Sequence, residues 1–261
     1  MVSPNKKHRS LLDSEIPLAL DRIGRLARLA GTGVLETLYP TRCAVCDKPG
    51  VLLCFGCRQR LAHIDAWKAC PRCGAAWGYL ECTECNPVSL AAFGIDALPF
   101  ASCRNALLYD DATKRIVNVY KDQGEQRLAK EMAHLMAPLI SPEILVSVDA
   151  ITYIPATKTA FDRRGFDHGF LLATHVGEEI GRPVASLLAR PRTSDQRALG
   201  NRGRIANMQK AFQTTPRAPV AGKTLLLIDD VMTTGATLID ASRALRTAGA
   251  HQVHVITFAH A

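Results

Sequence analysis

Two adjacent acids and a turn of small residues form the stretch of this sequence best suited to chemistry. Asp229 and Asp230 end an apolar run that starts at Leu225, and residues 233–237, TTGAT, follow before a helical pattern. Backbone N–H groups at a helix N-terminus, threonine hydroxyls and a glycine that admits close approach suit a phosphate. The carboxylates suit the hydroxyls of a sugar. A ribose 5-phosphate carries both kinds of group, although each piece taken singly is also ordinary in a capped strand–turn–helix joint.

Eight of the nine cysteines form four CxxC pairs, which predict a second kind of chemistry. The pairs are Cys43/Cys46, Cys54/Cys57, Cys70/Cys73 and Cys82/Cys85. A CxxC turn can direct two thiolates at one tetrahedral ion, so two turns complete a Cys₄ site. Four protein ligands leave no open position on the metal, which predicts two structural zinc ions (Zn²⁺) rather than catalytic ones. The ninth cysteine, Cys103, is expected to be a buried core thiol.

Other uses of paired cysteines remain open at this point. Disulfides need an oxidising compartment, and an iron–sulfur cluster, which also takes four thiolates, usually has different spacings, so the pattern favours zinc. Sequential pairing would join the first two pairs in one site and the last two in another, as in a double zinc ribbon. An interleaved cross-brace is the alternative. Short loops close most easily, which favours the sequential arrangement.

Charge and hydropathy narrow the class of protein. The 261 residues carry a formal net charge of +8, and the segment 182–210 holds seven basic residues against one acid, Asp195. Such a segment is either a solvated loop or an anion-binding loop. No apolar run approaches the roughly 20 residues that span a membrane. The N-terminal residues lack the features of a signal peptide, so we expect a cytoplasmic protein without stable membrane insertion.

The order of patterns along the chain predicts an α/β fold, a parallel sheet flanked by helices and preceded by a small cysteine-rich module. Residues 16–38 have helical spacing, and the segments FGIDALPFAS and NALLYDD, within 93–111, are interpreted as a strand pair. VDAITYIP, KTLLLIDD and QVHVITFAH are predicted strands alternating with helices. The predicted divisions are an N-terminal helical segment (1–40), a double zinc ribbon (41–87) and an α/β domain (88–261).

The thirteen residues LLLIDDVMTTGAT resemble the phosphoribosyl-diphosphate binding motif of type I phosphoribosyltransferases along their whole length. Joined to a CxxC-rich N-terminus, this motif resembles the ComF family, whose members include competence proteins involved in DNA uptake. Three further blocks are similar to that family, and the resemblance covers roughly residues 36–261. The blocks contain Lys121 and Gly124; Pro155, Arg164, Gly165 and Phe166; and Gln196, Leu199, Arg204, Asn207, Ala211 and Phe212. Asp167 and His168 stand where the family commonly has Asn-Gln, so no role is transferred to them.

The resemblance implies a phosphoribosyltransferase, a pentosyl-transferring glycosyltransferase, that binds phosphoribosyl diphosphate with Mg²⁺. It implies that Asp229 and Asp230 are catalytic, stabilising positive charge on the ribose. Lys158, Arg163 and Arg164 are candidates for a diphosphate loop, and Arg204 for a hood formed by the Arg-rich segment 190–204. No residue identifies the acceptor. The implied ligand-binding residues are Asp229, Asp230, Val231, Met232, Thr233, Thr234, Gly235, Ala236 and Thr237.

The alternative is a competence module without catalysis that binds single-stranded DNA and partners of the competence machinery. Single strands favour positive charge and aromatic platforms. Although aromatic residues make up only 6% of the chain, four of them cluster in the cysteine-rich module: Phe55, Trp67, Trp77 and Tyr79.

Overall fold

A computed structural model describes residues 40–190, 212–216 and 218–261. The predicted helix over 16–38 lies outside these residues, as do Arg204 and all of the predicted hood except Arg190. The chain divides into two compact units, Met1–Leu52 and Leu53–Ala261. The domain boundaries predicted after residues 40 and 87 stay predictions.

Within the described part of Met1–Leu52, the first CxxC pair lies in a tight turn. The N–H of Asp47 donates to the carbonyl of Cys43 at 2.9 Å, and the N–H of Cys43 donates to the carbonyl of Lys48 at 2.8 Å. Asp47 has a φ of 64°, in the left-handed region that Asp and Asn adopt more readily than most residues. These bonds close the turn around the two cysteines.

The second unit alternates strands with helices. Its helices in the described ranges are α1 (Phe55–Gln59), α2 (Pro87–Ala91), α3 (Asp111–Lys121), α4 (Leu128–Met136), α5 (Pro142–Ser147), α6 (Lys158–Arg164), α7 (His168–Ile180) and α8 (Ala236–Thr247), with a 3₁₀ turn at Ala137–Leu139. Its strands are β1 (Ser102–Leu108), β2 (Ala150–Tyr153), β3 (Leu188–Ala189), β4 (Gln213–Thr214), β5 (Thr224–Met232) and β6 (Gln252–His260).

Four of these strands form a parallel sheet in the order β1-β6-β5-β2, which confirms the predicted fold class. A short antiparallel pair, β3 and β4, lies apart from it. Strand β5 is central and buried along almost its whole length, as expected for a parallel strand covered on both faces. Because all four strands run the same way, their carboxyl ends meet at one edge.

The predicted strand pair within residues 93–111 was wrong. Only β1 forms there, and it pairs in parallel with β6, at the far end of the sequence, while residues 93–101 form turns and bends. Gly94 and Pro99 disfavour a regular strand in that segment. An alternating pattern identifies a strand but does not name its partner.

Strand β5 contributes side chains to two cores. Leu225 and Leu227 share a cluster with Leu238 and Leu245 of α8. Since successive side chains of a strand alternate between the two faces of the sheet, Leu226 and Ile228 face the opposite side. The helices α4 and α7 contact each other and the sheet.

The second half of the cysteine-rich module belongs to the same core as α8. Cys70, Cys73, Cys82 and Cys85 are buried in one cluster with Cys103 of β1 and Met232 of β5. This half of the module therefore packs directly on the sheet. Across the described ranges, no helix has the length and apolar character needed to cross a bilayer.

Candidate functional site

A cavity of about 400 Å³ lies at the carboxyl edge of the parallel sheet. Its walls come from the segments that follow β1 and β2, from the end of β5, and from α3, α6, α7 and α8. This is the place where open parallel sheets bind ligands. The lining residues are Tyr109, Lys121, Ile154, Pro155, Ala156, Thr157, Ala160, Arg164, His168, Arg190, Asp229, Asp230, Val231, Thr233 and Thr237.

Both predicted acids line this cavity, at the end of the most buried strand. Asp229 and Asp230 are only 8% and 4% exposed. The N–H of Asp230 donates to Oδ1 of Asp229 at 2.9 Å. Burial, and then the neighbouring charge of Asp230, raise the pKa of Asp229 to about 8 against the opposing effect of Lys121. At neutral pH the two neighbouring acids therefore favour holding one proton over carrying a double negative charge.

Asp230 is paired with a cation from a distant helix. Nζ of Lys121, the last residue of α3, lies 2.5 Å from Oδ2 of Asp230. Helix α3 begins with Asp110 as its N-cap, which accepts from the N–H of Thr113, so the helix is fixed at its start while its end reaches the cavity. The pair is buried on the acid side and 20% exposed at Lys121.

His168 is the second group that faces Asp230. Its Nε2 lies 3.5 Å from Oδ2 of Asp230, and its Nδ1 lies 3.2 Å from Nη1 of Arg164. Because a guanidinium only donates, Nδ1 accepts, and Nε2–H is left facing the carboxylate. Burial lowers the pKa of His168, so the neutral form is favoured although Asp230 opposes this. The hydroxyl of Tyr120 donates to the His168 carbonyl at 2.6 Å and fixes the backbone there.

Sequence reasoning gave Lys121 no place in the site and transferred no role to His168. The Lys-x-x-Gly block that carried the family resemblance was the available signal for Lys121. No local pattern marked His168.

Asp167 fastens the segment after β2 to the start of α7. Its Oδ1 accepts from the N–H of Phe170 at 3.1 Å as the N-cap, and its Oδ2 accepts from the N–H of Ala156 at 3.1 Å. The two segments are so close that a Cβ on Gly169 would lie 2.3 Å from the carbonyl oxygen of Ile154. Only glycine fits that approach.

The cations predicted for the diphosphate loop are divided between the cavity and the surface. Lys158 is exposed and pairs with Asp162 of its own helix at 2.7 Å. Arg163 points to Asp122 on the surface. Arg164 lines the cavity with its side chain only 12% exposed. The described residues thus bring one of these three cations to the site.

Arg190 also lines the cavity, from the last position described before the gap. Its Nε donates to the carbonyl of Pro155 at 3.1 Å, and its guanidinium lies 4.5 Å from the ring centre of Phe212. A cation over an aromatic face is a favourable contact. This contact fixes the guanidinium against one wall.

The predicted phosphate turn follows β5 directly. Thr233 and Thr237 line the cavity, and Gly235 is the N-cap of α8 with a φ of 75°. That conformation favours glycine. Met232 faces the interior instead, only 6% exposed. Of the nine predicted ligand-binding residues, the five that line the cavity are Asp229, Asp230, Val231, Thr233 and Thr237.

The cysteines gather in two groups of four that follow the sequential arrangement. In the second group the Sγ atoms of Cys70 and Cys85 are 3.6 Å apart, and those of Cys73 and Cys82 are 3.5 Å apart. Zinc–sulfur bonds of about 2.3 Å in a tetrahedron place sulfurs roughly 3.8 Å apart. All four side chains are buried. The residues therefore fit a structural zinc ion.

A cation would also offset the cost of burying the thiolate of Cys85. Burial raises the pKa of Cys85 to about 12, so its thiolate is unfavourable in that environment by itself. The first group, Cys43, Cys46, Cys54 and Cys57, offers the same set of four thiol ligands. Each group could hold one zinc ion.

Comparison with known proteins relates the C-terminal part of the chain to a known type of domain. The "Phosphoribosyl transferase domain" family matches residues 167–261, which include both acids and the glycine turn. Competence protein ComFC of Bacillus subtilis (strain 168) is 27% identical over 203 residues, 77% of this chain and 81% of the relative. In sequence, this chain is similar to competence proteins of the ComF type.

Other ComF-like relatives span similar lengths. DNA utilization protein YhgH of Salmonella typhimurium is 28% identical over 222 residues, which are 78% of this chain and 94% of that protein. Competence protein F of Haemophilus influenzae is 23% identical over 216 residues, 80% of this chain and 90% of the relative. These matches are longer than the predicted α/β domain, so the likeness also takes in residues that precede it.

Solved structures give weak matches. Orotate phosphoribosyltransferase from Aeropyrum pernix is 18% identical with a TM-score of 0.31, covering 55% of this chain and 62% of that chain. Glutamine phosphoribosylpyrophosphate amidotransferase from B. subtilis is 25% identical with a TM-score of 0.35, covering 50% of this chain and 25% of the other. The fold class rests on the sheet topology and the domain match.

Proposed function

We propose that this ComF-like chain binds phosphoribosyl diphosphate with Mg²⁺ in the cavity at the carboxyl edge of the sheet and transfers the phosphoribosyl group to an acceptor. The observation that carries the proposal is the meeting, in one cavity, of two buried acids and a glycine turn that opens a helix. A phosphoribosyltransferase domain match covers the same residues.

The acids and the turn would take the two ends of the ribose 5-phosphate. Thr233, Thr237 and the backbone N–H groups at the start of α8 present donors to the phosphate. Asp230, paired with Lys121, accepts from a ribose hydroxyl and places negative charge near the developing oxocarbenium ion. Asp229 is protonated at neutral pH, so ligand binding that needs its charge releases a proton.

Arg164 and Arg190 are the described cations best placed for the leaving diphosphate. Mg²⁺ would enter with the diphosphate, because this ion prefers oxygen ligands from phosphates and one or two carboxylates. Asp229 and Asp230 supply the carboxylates, and the ion would neutralise charge on the leaving group.

Calorimetric titration with phosphoribosyl diphosphate and Mg²⁺ tests the binding. We expect saturable binding in the wild type and its loss in the double variant Asp229→Asn/Asp230→Asn. The matched control is Lys158→Met, which removes an exposed cation outside the cavity. Absence of binding in the wild type, or equal binding in the double variant, would refute the assignment. A screen of nucleobases and other nitrogen nucleophiles for diphosphate release tests transfer.

A second candidate function, binding of single-stranded DNA, is supported by a group of exposed aromatic side chains. Trp67, Trp77 and Tyr79 are 87%, 73% and 60% exposed, and Phe55 is 74% exposed. Nζ of Lys68 lies 5.5 Å from the ring centre of Trp77. Exposed rings beside cations suit the stacking of bases along a backbone. The DNA-related names of the relatives agree with this candidate, and a role in competence is part of it.

Fluorescence titration with a labelled oligonucleotide tests this candidate at several salt concentrations. We expect Trp67→Ala with Trp77→Ala to weaken binding by roughly tenfold or more, at about 1–3 kcal/mol per stacked base. Val146→Ala, on an equally exposed apolar residue of α5, is the control. Unchanged affinity in the double variant would refute base stacking on these rings.

The proposal includes one structural zinc ion in each cysteine group and a cytoplasmic location, because paired thiolates that bind metal suit a reducing compartment. Metal analysis of the purified chain should give two zinc ions per molecule. A value near one or zero would refute the zinc assignment.

A further inference from the structure

We propose that the second cysteine group is coupled to the phosphate turn, so that its metal controls the affinity of the cavity for the phosphoribosyl ligand. The inference rests on the proposed function. It is carried by a continuous line of buried contacts, which we name the coupling path: Gly74, Asn105, Cys103, Met232 and Gly235.

The path begins where the CxxC turn of Cys70 and Cys73 meets strand β1. Nδ2 of Asn105 donates to the carbonyl of Cys73 at 3.3 Å and to that of Gly74 at 3.0 Å. A Cβ on Gly74 would lie 2.6 Å from the same Nδ2, and Gly74 has a φ of 74°. The amide of Asn105 therefore lies too close to the cysteine turn for any side chain to fit at residue 74.

Backbone bonds add to this attachment. The N–H of Cys103 donates to the carbonyl of Arg72 at 2.8 Å, and Nη1 of Arg104 donates to the carbonyl of Pro71 at 3.1 Å. Successive residues of the metal-binding turn are thus bonded to successive residues of β1.

The next step crosses the sheet. Oδ1 of Asn105 accepts from Oγ1 of Thr257 at 2.7 Å and from Sγ of Cys103 at 3.5 Å. Asn105 is 3% exposed, and both ends of its amide are bonded. A buried network this complete is costly to disturb, because each broken bond leaves an unsatisfied polar group.

The last step reaches the turn. Sγ of Cys103 lies 3.9 Å from Sδ of Met232, the residue that ends β5. Cε of Met232 lies 3.0 Å from the place that a Cβ on Gly235 would occupy. Met232 therefore fills the space between β1 and the N-cap of α8, and in a close-packed interior its displacement moves the turn.

Zinc at the second group would hold Cys73, and with it the carbonyls that Asn105 binds, in one position. Without the metal, four buried thiols have no common partner to fix their spacing, and the turn that ends at Gly74 loses its constraint. The loss then passes along the coupling path to Gly235. Since coupling is reciprocal, a ligand in the cavity must in turn strengthen metal binding.

That reciprocity gives the test. Zinc release from the full chain to a colorimetric chelator is followed with and without saturating phosphoribosyl diphosphate and Mg²⁺, with metal analysis to count the ions that remain. We expect the ligand to slow the release of one of the two ions by roughly fivefold or more. Binding of the ligand, measured separately by calorimetry, should also weaken when that ion is removed, because the coupling of the two affinities is reciprocal.

Two variants and a control identify the path. In Asn105→Ala and in the milder variant Thr257→Val, zinc should be released at nearly the same rate with and without the ligand. Ser102→Ala is the matched control, because it removes another side-chain bond between β1 and β6, from Ser102 to Nδ1 of His254, without touching the path. It should keep the ligand effect.

The outcomes separate the two proposals. If the wild type binds the ligand and its zinc release rate does not change, the coupling is refuted and the proposed function is not affected. If Ser102→Ala loses the effect of the ligand on zinc release as fully as the two path variants do, the coupling does not run through the coupling path. Absence of any ligand binding overturns the proposed function and the coupling together.

Discussion

Replacing Asp229 by asparagine should stabilise the folded protein at neutral pH. Asp229 is 8% exposed and lies beside the charge of Asp230, and both facts raise its pKa to about 8. Its Oδ1 accepts from the N–H of Asp230 at 2.9 Å, a bond that the amide oxygen of asparagine can keep. The substitution therefore removes a group that is hard to ionise in the fold and leaves its hydrogen bond in place.

The size of the effect follows from the two pKa values. An unfolded aspartate has a pKa of about 3.9, so between that pH and about 8 the unfolded chain is ionised at this position while the folded chain holds a proton. The stability that Asp229 contributes is complete below the unfolded pKa and is lost as the pH rises towards the folded one. The loss is about 1.4 kcal/mol per pH unit, or on the order of 3 kcal/mol between pH 5 and pH 7.

Urea unfolding of the wild type and of Asp229→Asn at pH 5, 6 and 7, with zinc held constant, measures this difference. The free energy of unfolding of the variant should exceed that of the wild type increasingly as the pH rises. Asp240→Asn is the control, since Asp240 is also buried but accepts from the N–H of Phe212 at 3.1 Å. A difference that is the same at pH 5 and pH 7, or a variant less stable at pH 7, would refute the reasoning.

Three further substitutions test the contacts of the site by urea unfolding. Lys121→Met should destabilise the fold by about 3 kcal/mol because it leaves Asp230 buried without its cation, and adding Asp230→Asn should recover most of that; no recovery would contradict the pairing. Gly169→Ala should cost about 1–3 kcal/mol because its Cβ meets a carbonyl at 2.3 Å, so a neutral result would contradict the close approach. Asp167→Asn should cost about 1 kcal/mol, since one amide oxygen cannot replace both carboxylate oxygens that bind the N–H groups of α7 and Ala156; an unchanged midpoint would contradict these two hydrogen bonds.

Local patterns predicted the features whose partners are near in the sequence. The fold class follows from alternating strands and helices, and the sequential grouping of the cysteines follows from short loops between the pairs. The Asp-Asp pair and the glycine turn are adjacent in the chain, so their proximity follows from the covalent order of the residues. Of the site, the sequence therefore predicted this segment and, in Arg164, one cation that lines the cavity.

The rest depended on tertiary packing. Lys121 and His168 reach Asp230 from two helices far away in the chain, and no periodicity signals such a meeting. Arg163 and Arg164 are neighbours with the same chemistry and both pair with Asp122, yet Arg163 is exposed and Arg164 lines the cavity with little exposure. Successive residues of a helix point about 100° apart, so only the orientation of α6 on the sheet decides which of them enters the site.

The contact between Asn105 and Gly74 has a consequence for the way related sequences vary. The side-chain amide of Asn105 donates two hydrogen bonds, and its oxygen accepts two. Gly74, which faces this amide, has no room for a side chain. Neither residue can be replaced alone without a clash or an unsatisfied buried group. In an alignment of relatives, we therefore expect this asparagine and this glycine to occur together. Relatives that lack the second cysteine group should have other residues at both positions.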